Sequence, residues 1–211
     1  MTKLLVVKAH PHVEPSLSLS IGNAFVTAYQ ESHPDDKIVV RDLYDSTVPA
    51  LNDTTMSAWK HEKAGQELTA KETALLTRHN KWFNEFMAAD KYVFINPMYN
   101  LFLPAELKQY IDVMAVPHKT FKYTAHGPVG LIGDRKVIHI QAAGSVYHGP
   151  EANSMMTKLD FGDAYLRGIF MLFGVKDFQS IFVEGADQDP TKREAIITAA
   201  KEQAIQLARK F

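Results

Sequence analysis

Apolar runs and amphipathic segments alternate along the whole chain. The runs are rich in β-branched and aromatic residues and lack polar alternation, as expected for strands that are covered on both faces. The segments between the runs repeat their apolar residues at helical spacing. The pattern predicts five strands, at residues 4–9, 37–43, 93–96, 137–140 and 177–184.

Helix-start signals place helices between these strands. Thr69 and Glu72 fit a capping box, and Pro104 suits the first turn of a helix. Segment 50–65 is polar, and we expect at most a short helix there. Residues 120–133 contain three glycines and are expected to form an extended excursion with turns. The main predicted helices cover residues 18–32, 70–86, 104–114, 153–173 and 190–210.

Strands that are separated by helices predict an α/β fold, a parallel, doubly wound sheet with helices on both faces. A chain of 211 residues with 46% hydrophobic content can bury one sizeable core. No internal repeat or composition shift marks a boundary within it. We therefore expect a single domain over residues 1–211.

Composition limits the classes of partner. Lys and Arg total 23 against 24 for Asp and Glu, and neither sign is concentrated in one region, which disfavours nucleic acid. The absence of cysteine excludes disulfides, thiolate catalysis and cysteine-ligated metals. The amino terminus is too short and too charged for a signal peptide, and no apolar stretch approaches the roughly 20 residues of a membrane span. We expect a cytoplasmic protein without membrane association.

Two loops that follow predicted strands carry candidate binding residues. The third strand ends in a turn at residues 97–100, where Pro97 cannot donate a ladder hydrogen bond. The loop after the first strand, residues 10–20, is longer than the roughly 2–6 residues that such a connection needs. Ser16, Ser18 and Ser20 can present hydroxyls beside unpaired backbone N–H groups at a helix amino terminus, which suits a phosphate. Capping of the helix by one serine is the alternative.

Motifs of several other enzyme classes are absent from the sequence. Neither a Walker nor a Rossmann glycine motif follows the first strand. There is no Gly-x-Ser-x-Gly elbow and no His-Glu-x-x-His, and His10 and His12 form the only close histidine pair, so we expect no metal site. A mononucleotide cradle fits better. In a flavodoxin-like sheet of order 2-1-3-4-5, the loops after strands 1 and 3 flank one crevice.

Several short motifs carry a resemblance to a known family. They are the first loop with Ser16 and Ser18, Pro97-Met98-Tyr99-Asn100, Leu107-Lys108-x-x-Ile111-Asp112, Thr120-Phe121-Lys122-Tyr123-Thr124 and Gly127-Pro128-x-Gly130-Leu131. On these residues the chain resembles the FMN-dependent NADH azoreductases, flavodoxin-like enzymes related to the NAD(P)H:quinone reductases. The resemblance covers nearly the full chain. It implies FMN as cofactor, NADH or NADPH as donor, and an azo compound or quinone as acceptor, in ping-pong order.

The resemblance also implies which residues hold the FMN. The first loop would wrap the phosphate, and residues 98–101 would lie along the ring and ribityl chain. Residues 142–145, which are expected to form a small-residue loop after the fourth strand, would close the other side. The expected cofactor residues are His10, Ser16, Leu17, Ser18, Pro97, Met98, Tyr99, Asn100, Leu101, Ala142, Ala143, Gly144 and Ser145. No side chain is expected to act as a catalytic residue, because the flavin supplies the chemistry. The His10 imidazole is expected to add a charge-assisted donor to the phosphate.

Aromatic residues are expected to shape the acceptor pocket. They are Phe102, Phe121, Tyr123 and Tyr147, and ordinary core packing is the alternative for Phe121. The family implies a homodimer whose interface forms the pocket, and the helix predicted at 153–173 is apolar around much of its circumference, which favours a partner subunit. The alternative function is a flavodoxin-like electron carrier or FMN-binding module without nicotinamide turnover. The near-neutral charge disfavours it, because carriers dock electrostatically.

Overall fold

The computed structural model describes residues 1–12 and 16–211. Its strands are β1 (Lys3–Lys8), β2 (Lys37–Asp42), β3 (Lys91–Pro97), β4 (Phe121–Thr124), β5 (Gly127–Gly130), β6 (Lys136–Ala143) and β7 (Asp177–Glu184). Five of them form a parallel sheet in the order β2-β1-β3-β6-β7. Numbered within the sheet alone, this is the predicted order 2-1-3-4-5. The predicted flavodoxin-like, doubly wound α/β fold is confirmed.

Helices cover both faces of the sheet. They are α1 (Leu17–Ser32), α2 (Asp53–Lys63), α3 (Ala70–Met87), α4 (Ala105–Met114), α5 (Phe161–Leu172) and α6 (Arg193–Lys210). Successive residues of β1 point to opposite faces. Leu4 and Val6 pack with α1 and α6, whereas Leu5 and Val7 pack with α3, α4 and α5. This alternation produces two apolar cores, one on each side of the sheet.

The prediction of a helix over residues 153–173 is wrong for roughly its first third. The α-helix begins at Phe161, because the Asp160 carboxylate caps it by accepting the backbone N–H of Asp163 at 2.9 Å. Before this cap, Asn153 closes a local turn and residues 156–158 form a single 3-10 turn. The polar segment 50–65 contains a longer helix than expected, α2, with Asn52 as its cap.

The fourth predicted strand is also longer than its apolar run. β6 continues to Ala143, so Ala142 and Ala143 belong to the strand and not to the small-residue loop that the sequence suggested. Pairing from both sides explains the extension, since Ala142 is in register with Pro97 of β3 and Val183 of β7. Of the predicted loop, Gly144 and Ser145 remain outside the strand.

The expected excursion at residues 120–133 is the antiparallel hairpin β4–β5. Phe121 is buried and stacks on Phe173 at the end of α5, with ring centroids 6.3 Å apart. Gly130 lies so close to this helix end that an added Cβ would come 2.1 Å from the backbone nitrogen of Gly174. The hairpin therefore packs through backbone contact that only glycine permits.

None of the helices in the described residues combines the length and the apolar character that crossing a membrane would require.

Candidate functional site

A cavity of about 320 Å³ opens at the carboxyl end of the sheet. The order of the strands explains its position, because β2 and β3 flank β1 on opposite sides and the chain reverses direction across the sheet there. We call it the switch-point cavity. It is lined by His10, Ser16, Leu17, Ser18, Pro97, Met98, Tyr99, Ala142, Ala143, Gly144, Asp187 and Arg193. Ten of these are among the thirteen cofactor residues expected from the sequence.

The amino terminus of α1 forms one wall of the switch-point cavity. The hydroxyl of Ser16 accepts the backbone N–H of Leu19 at 3.2 Å and lies 3.4 Å from the hydroxyl of Ser18. No acidic residue occupies the first turn, so the helix dipole is left to favour an anion. Capping and anion binding, posed as alternatives for these serines, are compatible in this geometry. Val13, Glu14 and Pro15 of the predicted loop lie outside the described residues.

A tight turn after β3 forms the opposite wall. Tyr99 and Phe102 exchange two backbone hydrogen bonds of 2.9 and 3.0 Å. The two residues between them, Asn100 and Leu101, both have positive φ, 50° and 67°. Asparagine tolerates this left-handed conformation, but leucine does so at a cost of about 1–2 kcal/mol. Strain of this kind, held by the surrounding structure, concentrates at binding loops.

The end of β6 supplies a floor of small residues. Met98 extends the pairing beyond Pro97, since its backbone N–H donates to the Ala142 carbonyl at 2.7 Å. Gly144 faces the side chain of Asp187, where an added Cβ would come 3.2 Å from Oδ2. Small side chains at this edge leave backbone groups accessible to a flat ligand.

Two lining residues, Asp187 and Arg193, were missed by the sequence analysis. Asp187 follows β7, and Arg193 is the first residue of α6. Nη1 of Arg193 lies 3.0 Å from Oδ1 of Asp187, which brings a cation and an anion to the cavity wall. The signal that could have found them is topological, because the loop after the fifth strand opens at the same edge as the loops after strands 1, 3 and 4.

Three expected cofactor residues, Asn100, Leu101 and Ser145, do not line the switch-point cavity. The four expected acceptor residues also lie outside its walls. Phe102 is half-buried against Tyr165, Phe121 and Tyr147 are buried, and Tyr123 is exposed. Packing of Phe121 against Phe173 fits the core alternative. The roles of these seven residues stay predictions.

A larger cavity of about 890 Å³ lies beside β7 and α6 and shares no residue with the switch-point cavity. Its wall includes His148, whose ring stacks on Phe182 and whose Nδ1 lies 2.8 Å from Oε1 of Glu184. Oε2 of Glu184 accepts the backbone N–H groups of Tyr147 and His148 at 2.8 and 2.9 Å. These contacts fold the segment after β6 back onto β7, so their evident role is structural.

Among the residues that the structure describes, two groups of side chains have ligand atoms within 4.8 Å of one another, close enough to share a cation. They are His12, Asp42 and Asp45, and His148, Asp160 and Glu184. Glu184 and Asp160 already accept hydrogen bonds from within the chain, and the first group is mostly exposed. The expectation that this protein needs no metal stays a prediction.

Comparison with known proteins identifies relatives over the full length. A family described as having a flavodoxin-like fold matches residues 2–208. The chain is 57% identical to FMN-dependent NADH:quinone oxidoreductase 2 of Lactiplantibacillus plantarum, with complete coverage of both proteins. It is 46% identical to FMN-dependent NADH:quinone oxidoreductase 1 of Lactococcus lactis, covering all of this chain and 98% of the relative.

Solved structures agree with these relatives. An azoreductase from Bacillus anthracis superposes with a TM-score of 0.91 at 38% identity, and each chain is covered completely. An FMN-dependent NADH-azoreductase from Bacillus anthracis, crystallised in complex with FMN, superposes with a TM-score of 0.89 at 33% identity, covering 99% of this chain and 100% of the other. The fold and the relatives therefore point to the same class of protein.

Proposed function

Because this chain belongs to the family of FMN-dependent NADH:quinone oxidoreductases and azoreductases, within the flavodoxin-like fold, we propose that it transfers electrons from NADH through FMN to quinones or azo compounds. The observation that carries the proposal is the switch-point cavity. It joins the amino terminus of α1, the strained turn after β3 and the small residues of β6 at one sheet edge. Cavities of this size class hold small cofactors.

The residues of the cavity fit the parts of FMN. Ser16, Leu17 and Ser18 would hold the phosphate with hydroxyls and the first backbone N–H groups of α1. Met98 and Tyr99 would lie along the ring on one side, and Ala142, Ala143 and Gly144 on the other. His10 is buried and lines the same cavity, where its imidazole would donate to the phosphate.

FMN held in this cavity would supply the redox chemistry, which is hydride acceptance from the nicotinamide and delivery of two electrons to the acceptor. The chain's contribution is to bind and orient the reactants. Pairing between the ends of β3 and β6 fixes the backbone that lines the cavity, and the positive end of α1 favours the anionic phosphate. No side chain needs to act as a general base, because the protons can come from water.

We include a homodimer in the proposal. Tyr123 and Met171 are each 72% exposed, and Phe161 is half exposed, all in the region where the resemblance implies an interface. Exposed apolar groups of this size favour coverage by a partner. Analytical ultracentrifugation of the purified chain tests this, and a monomer at micromolar concentration would contradict it.

An anaerobic absorbance experiment tests the function. Purified protein is mixed with FMN, and spectra are recorded before NADH, after NADH and after a quinone such as menadione. We expect NADH to bleach the flavin band and the quinone to restore it. Bound FMN that neither NADH nor NADPH bleaches would favour an electron carrier, and failure to bind FMN would overturn the proposal.

A matched pair of variants tests whether the FMN phosphate binds at the amino terminus of α1. Ser18→Asp places a negative charge in the cavity wall, whereas Ser20→Asp places the same charge on the same helix turn but outside the cavity lining. We expect Ser18→Asp to weaken FMN binding by about 10-fold or more through charge repulsion, and Ser20→Asp to change it much less. Quenching of flavin fluorescence gives the dissociation constants, and equal effects would contradict the assignment.

A further inference from the structure

His139 is a titratable residue in the middle of β6 whose side chain is completely buried. Both of its ring nitrogens have partners. Nδ1 lies 2.8 Å from Oδ1 of Asp163 on α5, and Nε2 lies 3.0 Å from Oδ1 of Asn96 on β3. Nothing in the cofactor assignment uses this residue.

The partners determine the protonation of the ring. Burial by itself raises the pKa of Asp163, but hydrogen bonds from His139 and Ser180 and the charges of His139 and Arg167 outweigh it and lower the pKa to about 2. Asp163 is therefore a carboxylate and can only accept. Asn96 donates through Nδ2 to the Pro97 carbonyl at 3.0 Å, so its oxygen faces His139. An acceptor therefore faces each ring nitrogen, and only a doubly protonated ring can donate to both.

The His139 ring lies among side chains that hydrogen-bond to its partner Asp163 or pack against it. Asp163 also accepts from the Ser180 hydroxyl at 2.6 Å and from the Arg167 guanidinium at 3.2 and 3.3 Å. Phe178 of β7 meets the imidazole edge-on, with ring centroids 6.5 Å apart. A buried charge that is paired and hydrogen-bonded on each side is held in one geometry.

The chain of hydrogen bonds ends at the switch-point cavity. Pro97 has no N–H, so the strand end lacks one ladder bond just where it meets the cavity. Asn96 is fully buried and holds the Pro97 carbonyl in its place, and the next residue, Met98, donates to Ala142. Pro97, Met98 and Ala142 all line the cavity.

We propose that His139, as a buried imidazolium, is a positioning residue that acts through Asn96 to hold Pro97 and Met98 at the cavity wall. The part of this inference that concerns FMN rests on the proposed function. The part that concerns the strand end does not, because the hydrogen bonds lie within the chain. The hydrogen bond with Asp163 fixes the orientation of the His139 ring. Asn96 accepts from the ring and donates to the Pro97 carbonyl, so it links the two.

Three variants separate positioning from general stabilisation. His139→Gln removes the cation and cannot bond both partners at once. Asn96→Asp still accepts from His139 but cannot donate to the Pro97 carbonyl. Ser180→Ala is the matched control, because it removes a hydrogen bond to the same Asp163 carboxylate but none that His139 or Asn96 makes.

The readout that needs no cofactor is amide hydrogen exchange at Met98 in the FMN-free protein. We expect exchange to be about 10-fold faster in His139→Gln and in Asn96→Asp, as loss of a charge-assisted bond predicts, and unchanged in Ser180→Ala. The double variant should be no faster than the worse single variant, because both changes break one chain of bonds. Unchanged exchange in the folded single variants, or effects that add in full, would overturn the proposal.

Two further measurements complete the test. Nitrogen-15 spectra of the wild type should show protons on both ring nitrogens of His139 at neutral pH, and a single ring proton would overturn the assignment. FMN should bind about 10-fold more weakly to the two test variants than to the wild type, with Ser180→Ala unaffected. A wild-type protein that binds no FMN would refute the proposed function alone, because exchange at Met98 still decides the role of His139.

Discussion

Arg193 and Asp187 form an ion pair on the wall of the switch-point cavity, with 3.0 Å between Nη1 and Oδ1. The pair joins the loop after β7 to the first residue of α6. Asp187 by itself would repel an anionic cofactor, and Arg193 offsets its charge. Replacing either residue by a neutral one would therefore leave the charge of the other uncompensated at this wall.

Replacing one partner at a time should move FMN affinity in opposite directions. Arg193→Met leaves the carboxylate uncompensated and is expected to weaken FMN binding by about fivefold, whereas Asp187→Asn should strengthen it by a similar or smaller factor. Titration of flavin fluorescence at low salt measures both constants. High salt should shrink both effects, since the pair is solvent-exposed. A change in the same direction for both variants would argue against this account.

The strained turn after β3 provides a test of stored backbone energy. Leu101→Gly removes a side chain from a left-handed position, and we expect the free energy of unfolding to rise by about 0.5–1 kcal/mol after the entropy of the unfolded glycine is counted. Asn100→Gly is the control, with a gain close to zero because asparagine tolerates this conformation. Urea unfolding measures both, and equal gains would show that Leu101 is not strained.

The contact between the hairpin and α5 depends on the absence of a side chain. Gly130→Ala would place a Cβ 2.1 Å from the backbone of Gly174, and we expect a loss of about 3 kcal/mol in unfolding free energy. Gly168→Ala, within α5 where the added Cβ meets open space, should instead stabilise by about 0.5–1 kcal/mol. Equilibrium urea curves distinguish the two. A tolerated Gly130→Ala would mean that the hairpin does not pack as described.

Asp163 should make the fold sensitive to acid. Its pKa is about 2 in the folded protein against an ordinary value of 3.8, so the folded state binds this proton less readily than the unfolded state. The resulting stabilisation, roughly 2 kcal/mol, is fully present above about pH 4 and is lost as the pH falls towards 2. Asp163→Asn should flatten the dependence of unfolding free energy on pH in that window. An unchanged slope between pH 4 and 2 would contradict this role.

Local patterns accounted for much of the architecture. The Thr69–Glu72 capping box is present as predicted, with both reciprocal hydrogen bonds. The third strand ends at Pro97, within one residue of the predicted end, where the apolar run gives way to the turn. These features depend on residues that are close in sequence, and for that reason a single sequence reveals them.

Predicted boundaries were wrong partly because residues far apart in sequence influence them. The cap bond between Asp160 and Asp163 is local, but Gln141 of β6 also donates to the Asp160 carboxylate, at 2.6 Å. Ala142 joins β6 because Pro97 and Val183 pair with it from two sides. The sequence around Asp160 and Ala142 does not identify these distant residues as partners.

The sequence by itself determined the alternation of strands and helices, because periodicity and turn chemistry are local. Its resemblance to a known family with a flavodoxin-like sheet implied the strand order and most of the residues that meet at the sheet edge, where parallel strands place their carboxyl ends. Tertiary structure alone decided that Arg193 and Asp187 face the cavity and that His139, Asp163 and Asn96 form one buried chain of hydrogen bonds. Those contacts join residues far apart in sequence, and their pairing depends on register and burial that no local pattern encodes.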